Sequence, residues 1–124
     1  GVELRYINNP ELAHSKVGAA MLKQDFDICD EDVLMAVSSH TAGRYGMTLL
    51  EEIVYVADAI EINRTNAEAS ALRELAKHDI DKACLEIIDY SIALLGKRGI
   101  KIDTDTYEAK RFILDKINRK EVFI

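Results

Sequence analysis

The sequence predicts an all-α protein, a bundle or orthogonal array of about five to six helices, on three observations. Apolar residues recur at helical spacing along nearly the whole chain. Only one proline and six glycines interrupt the 124 residues, so long helices can run unbroken. Only the short segment GIKID (99–103) alternates apolar and polar side chains as a half-buried strand would.

The elements follow in order. Residues 10–25 start at Pro10 and carry Val17, Ala20 and Met21 on one apolar stripe. Residues 31–40 follow the turn formers Asp27 and Asp30; Val33, Leu34, Ala36 and Val37 are apolar, and His40 stands at the end. The segment TAGRYGMT (41–48) holds two glycines and no period, which predicts a loop. Thr48 is then an N-cap, with Glu51 three residues on completing a capping box. The long apolar helix LLEEIVYVADAIEINR (49–64) follows. Two more helices are expected at about 67–77 and 80–96, then a turn at Gly96–Gly99. A final amphipathic helix is capped near Thr104 or Asp105 and carries Tyr107, Phe112, Ile113 and Ile117.

Composition narrows the function. Hydrophobic residues at 48% and charged residues at 31% are ordinary for a soluble globular chain and argue against disorder, and the length suits a single domain. No apolar run reaches the ~18 residues of a membrane span, and the start does not resemble a signal peptide, so no membrane partner is expected. A net charge of −6 argues against a general nucleic-acid binder. A phosphate substrate remains compatible with it, provided bound cations or placed arginines offset the repulsion. Cys29 and Cys84 form no CxxC motif or disulfide framework, which suggests buried or half-buried thiols in a reducing cytoplasm.

Asp58 is the strongest chemical signal. It sits in IVYVADAI among Ile53, Val54, Val56, Ala57 and Ile60, with Glu61 and Ile62 one turn on and Arg64 a further turn along. A carboxylate in such a wall must be neutral, ion-paired or metal-bound. A buried Asp–Arg pair reads as readily as a ligand. His40 ends its helix on the apolar side, three residues after Val37; taken alone, a capping or core histidine fits it better. His14 lies early in the first helix, three residues before Val17, where a solvated side chain is equally natural. The combination is more specific: two histidines and an aspartate on three successive helices suit a borderline first-row metal. Arg44 and Arg64 in adjoining segments could neutralise phosphate oxygens. The dyad His78-Asp79 reads instead as a helix end followed by the N-cap of the next helix. There is no GxGxxG, P-loop, HExxH or GxSxG segment.

The motifs NPELxHxxVGA and EDVLMAVSSHTAGRYGMTLLEEIVYVADAIEINR resemble the bacterial YqeK-like HD-domain family, the symmetrical bis(5′-nucleosyl)-tetraphosphatases. That family's pattern is H-x-x-V-G-A, then H-T-x-G-x-x-x-M-x-x-L-E, then A-D-x-I-E-P-N-R. The resemblance covers residues 8–65 in motif detail, with Ile62 where the family has proline. It implies an HD-domain-like helical bundle, present here as the C-terminal part of a single domain (1–124). It also implies hydrolysis of diadenosine tetraphosphate into two ADP at an iron centre, dinuclear, with manganese or another divalent ion as the alternative. By the same resemblance His14, His40 and Asp58 are metal ligands, and Asp58 and Arg64 are catalytic. Thr41, Gly43, Arg44 and Glu61 fall near the nucleotide or support the metal. The family's first ligand histidine and its HD dyad precede this match, so an upstream segment is expected; without it the exposed apolar faces would favour a homodimer. Another HD-type nucleotidase or triphosphohydrolase, and a non-enzymatic helical interaction module, are the competing readings.

Overall fold

The computed structural model describes residues 9–63 and 67–122. Six helices fill them: α1 (Pro10–Asp25), α2 (Glu31–Ser39), α3 (Leu49–Asn63), α4 (Ala67–His78), α5 (Ile80–Lys97) and α6 (Thr104–Val122). No strand occurs among the described residues, so GIKID is a plain connection. The all-α expectation and the helix positions hold to within a residue or two.

Short polar side chains start these helices by satisfying backbone N–H groups that have no partner inside the first turn. Asn9 Oδ1 accepts from the Leu12 N–H ahead of Pro10, and Asp30 Oδ1 accepts from the Asp32 N–H. At α3 the capping box forms reciprocally: the Glu51 N–H donates to Thr48 Oγ1 at 3.3 Å, and the Thr48 N–H donates to Glu51 Oε2 at 2.8 Å. Asp79 caps α5 by accepting from the Lys82 N–H, which bears out the structural reading of His78-Asp79. The cap of α6 is Asp103 rather than Thr104 or Asp105, because its carboxylate reaches the Asp105 N–H.

The main core lies between α3, α4, α5 and α6, around Tyr55, Val56, Leu72, Cys84, Ile88 and Ile113. Helix α2 packs on both α1 and α3, whereas α1 and α3 make no contact with each other. A second, small cluster of Leu12 and Ala42 with Ala13 joins α1 to the rest.

Three packing expectations are corrected. The stripe of Val17, Ala20 and Met21 faces outward, with Val17 43% and Met21 48% exposed; α1 buries Leu12 and Ser15 instead. Its inner face is made of small residues that let α2 approach, so a Cβ on Gly18 would sit 3.6 Å from Val37. Tyr107 is exposed on α6, where Thr106, Ala109 and Ile113 turn inward. Cys29 is exposed and only Cys84 is buried, both as free thiols. Among the described residues no helix is long and apolar enough to cross a membrane.

Candidate functional site

The end of α2 and the loop after it are fixed from several directions. Gly43 adopts φ +76°, and a Cβ there would lie 2.9 Å from Ala109 on α6, so position 43 needs glycine for both conformation and space. The Thr106 hydroxyl donates to the Ala42 carbonyl at 3.0 Å, tying α6 to the same loop. Tyr45 meets Phe112 edge-on with ring centroids 5.0 Å apart. Arg44 is clamped by Glu51, with Nε and Nη2 donating to the two carboxylate oxygens at 2.5 and 2.8 Å. Burial alone would raise the Glu51 carboxyl, but the Arg44 and Thr48 hydrogen bonds win and hold it below the usual range.

His40 caps α2 within this frame, half-buried, and its Nδ1–H donates to the Val37 carbonyl at 2.6 Å. A carbonyl can only accept, so Nδ1 carries the hydrogen of this bond and Nε2 is the nitrogen left for another partner. His14 approaches from α1, with its ring centroid 5.9 Å from that of His40 and the planes at 81°. With nitrogen–metal distances of 2.0–2.1 Å, two imidazoles on one ion place their centroids roughly 5–6 Å apart. The pair therefore fits a shared cation. The carbonyl behind His40 is the kind of partner that orients a ligating imidazole.

The rest of the expected site is less gathered. Asp58 is half-buried rather than enclosed, and among the described residues it takes no hydrogen bond or ion pair. The reason is helical phase: α3 turns Glu51, Glu52, Tyr55, Val56 and Ile60 inward, which leaves Asp58 on the shoulder and Ile53, Ala57 and Glu61 outside. His14 is exposed rather than inward-looking. Among the described residues no third His, Cys, Asp or Glu joins the two imidazoles as a metal-holding group. Thr41 is half-buried beside His40, Gly43 is buried in the loop, and Glu61 is exposed on the last turn of α3. Arg64 lies outside the described residues.

Among the described residues the fully buried carboxylates are Glu51, read from the sequence only as a capping-box partner, and Glu52 and Asp81, which the sequence reading passed over. Their signal was present. Glu52 lies three and four residues before Tyr55 and Val56, and Asp81 three and seven before Cys84 and Ile88, so both fall on apolar faces.

Comparison with known proteins agrees with this architecture. The family model of the HD domain matches residues 2–63. The symmetrical bis(5′-nucleosyl)-tetraphosphatase of Bacillus subtilis (strain 168) is 41% identical over 100 residues, covering 81% of this chain and 54% of that protein. The protein of the same name from Staphylococcus aureus (strain NCTC 8325) is 33% identical over 104 residues, covering 82% and 54%. The chain thus spans about half the length of these curated relatives. Among solved structures, a "predicted HD superfamily hydrolase involved in NAD metabolism" from Clostridium acetobutylicum superposes with a TM-score of 0.86 at 35% identity, covering 94% of this chain and 61% of that one. With the family match over its first half and this helical likeness along nearly its whole length, the chain belongs to the HD-domain family.

Proposed function

We propose that the chain is part of a metal-dependent phosphohydrolase that cleaves diadenosine tetraphosphate symmetrically into two molecules of ADP. The observation that carries this reading is the His14–His40 pair, with the Nδ1 of His40 tied to Val37 and its Nε2 left free. The names of the Bacillus and Staphylococcus relatives support the substrate and the symmetric products. In this reading His14, His40 and Asp58 hold the metal, taken to be iron in a dinuclear centre, with further ligands from outside the six helices. A bound metal of this kind supplies Lewis-acid polarisation and lowers the pKa of water towards neutrality.

The chain's own residues then have distinct tasks. The Val37 carbonyl keeps the His40 imidazole aimed. Arg44 has two of its three guanidinium nitrogens engaged by Glu51, so its contribution is to hold the loop beside His40 in shape. Thr41 and the Gly43 backbone stand where a nucleotide would pass that loop, and Arg64 would bring the cationic charge that phosphate oxygens need. Glu61 would support the Asp58 end of α3.

Incubating the complete protein with the symmetric dinucleotide tests the reaction. Two ADP support it, whereas AMP plus ATP reject it and favour another HD-type nucleotide phosphohydrolase. Elemental analysis tests the site: Asp58→Ala loses metal, and retention of full stoichiometry removes Asp58 from the ligand set. A complete protein that purifies without a transition metal and takes none up is an interaction module instead.

A further inference from the structure

Three of the four helices of the main core, α3, α5 and α6, meet at a buried charge cluster that the proposed reaction does not use. Glu52 on α3 and Asp81 on α5 are 0% and 2% exposed. Lys116 of α6 reaches between them, its Nζ 2.9 Å from Glu52 Oε2 and 2.9 Å from Asp81 Oδ1. It is aligned as a hydrogen-bond donor only towards Glu52. Lys120, one turn on, bonds the other Asp81 oxygen from a largely exposed position. Two buried oxygens lack an aligned hydrogen bond: Glu52 Oε1, and Asp81 Oδ1, which has only the ionic contact with Lys116. Both carboxyl groups close on the one Lys116 ammonium, so the two buried acids meet at a single cation. Two ionised carboxylates hold no donor between them, and an unsatisfied buried oxygen is costly.

We propose that Glu52 and Asp81 share one proton, carried by Glu52 and donated to ionised Asp81, so that the clasp joining α3, α5 and α6 is sensitive to pH. One proton supplies the missing donor for both orphaned oxygens. It also removes the repulsion of like charges in a dry site, the arrangement that splits the ionisations of paired carboxyls. Among the described residues, the charged groups that act on the pair are Glu52 from α3, Asp81 and the Cys84 thiol from α5, Lys116 and Lys120 from α6, and Asp79 acting on Lys120. Burial, followed by the hydrogen bond to Asp81, pushes Glu52 up to about 7 against the pull of Lys116. Burial also works to raise Asp81, but Glu52 beside it and the Lys120 and Lys116 ammonium groups overcome it and bring Asp81 down to about 2.

The sign of the linkage follows. Between the unfolded glutamate value of 4.5 and about 7 the folded chain binds the extra proton, so this pair's contribution to stability is full at the acid end and is lost as pH rises. Within that window the unfolding equilibrium constant attributable to Glu52 rises about tenfold per pH unit.

The test is a pH titration of the carboxyl carbons of the folded, complete protein by NMR. One glutamate is expected to titrate near neutrality; if every glutamate titrates in the ordinary range, the shared proton does not exist. The Asp81→Asn variant distinguishes sharing from burial alone. Its amide can donate to Glu52 and carries no charge, so the neutral-range titration should fall back towards ordinary glutamate values. A midpoint that stays near 7 in Asp81→Asn overturns the pairing. Urea unfolding at stepped pH adds a variant on the other side: Glu52→Gln should flatten the stability loss between pH 5 and 7, and an unchanged slope also overturns it. Should either variant fail to fold, the wild-type titration still decides.

Discussion

The core between α3 and α6 and the corner formed by α1 and α2 are built by different means. The first gathers twelve buried apolar residues around Ile88 and Ile113 and locks a charge cluster inside. The second rests on Leu12, Ala42 and Ala13, helped by Lys16 Nζ donating to the Ser38 carbonyl and hydroxyl across the α1–α2 contact. Both proposed imidazole ligands belong to the lightly packed corner, and Asp58 stands on the shoulder of α3 rather than in its core. Chemistry and stability are therefore segregated. Side chains that would bind a metal or a nucleotide stay reachable because they are not needed to hold the fold together.

Substitutions can break or sharpen this contrast. The largest loss is expected from Ile113→Ala, which empties a fully enclosed position and should cost about 2–5 kcal/mol by urea unfolding. A cost below about 1 kcal/mol would mean that the core is not where the stability lies. Lys116→Met strands buried Glu52 and leaves Asp81 with Lys120 alone; it should cost about 3 kcal/mol, more at pH 8 than at pH 6 if Glu52 can take a proton. Gly43→Ala joins the two regions, since the new methyl meets Ala109 and the backbone is left-handed; about 1–3 kcal/mol is expected, with weakened metal uptake at His40. Wild-type metal affinity in that variant would show that the loop does not position His40. The smallest stability effect belongs to His14→Ala, within about 0.5 kcal/mol because the side chain is exposed, although metal content should drop sharply. A large loss of stability with unchanged metal would make His14 a packing residue.

Helical phase accounts for most of what was legible and much of what was not. The spacing of apolar residues placed all six helices, and the capping residues Thr48 and Asp79 marked two of their starts. The motif order placed His14 and His40 in one centre, and the helices do bring their rings together. The same reading took Asp58 for the buried acid of α3, when Glu51 and Glu52, seven and six residues earlier, occupy the inner face. Mixed apolar and acidic runs on both sides of α3 hid that phase. Val17 and Met21 looked like a core stripe because they are apolar at the right interval, but among the described residues the only helix that α1 packs against is α2.

The sequence by itself determined the local features: six helices, their caps, the glycine-dependent loop and the residue types from which a metal site could be made. These depend on backbone hydrogen bonding and side-chain propensity within a few residues, which a linear reading samples directly. Only the tertiary structure decided that Arg44 is held by Glu51, that Thr106 secures a carbonyl 64 residues away, and that Glu52, Asp81 and Lys116 meet in one dry pocket. Such contacts join groups far apart along the chain, and their strength comes from exclusion of water at a junction that exists only once three helices have packed.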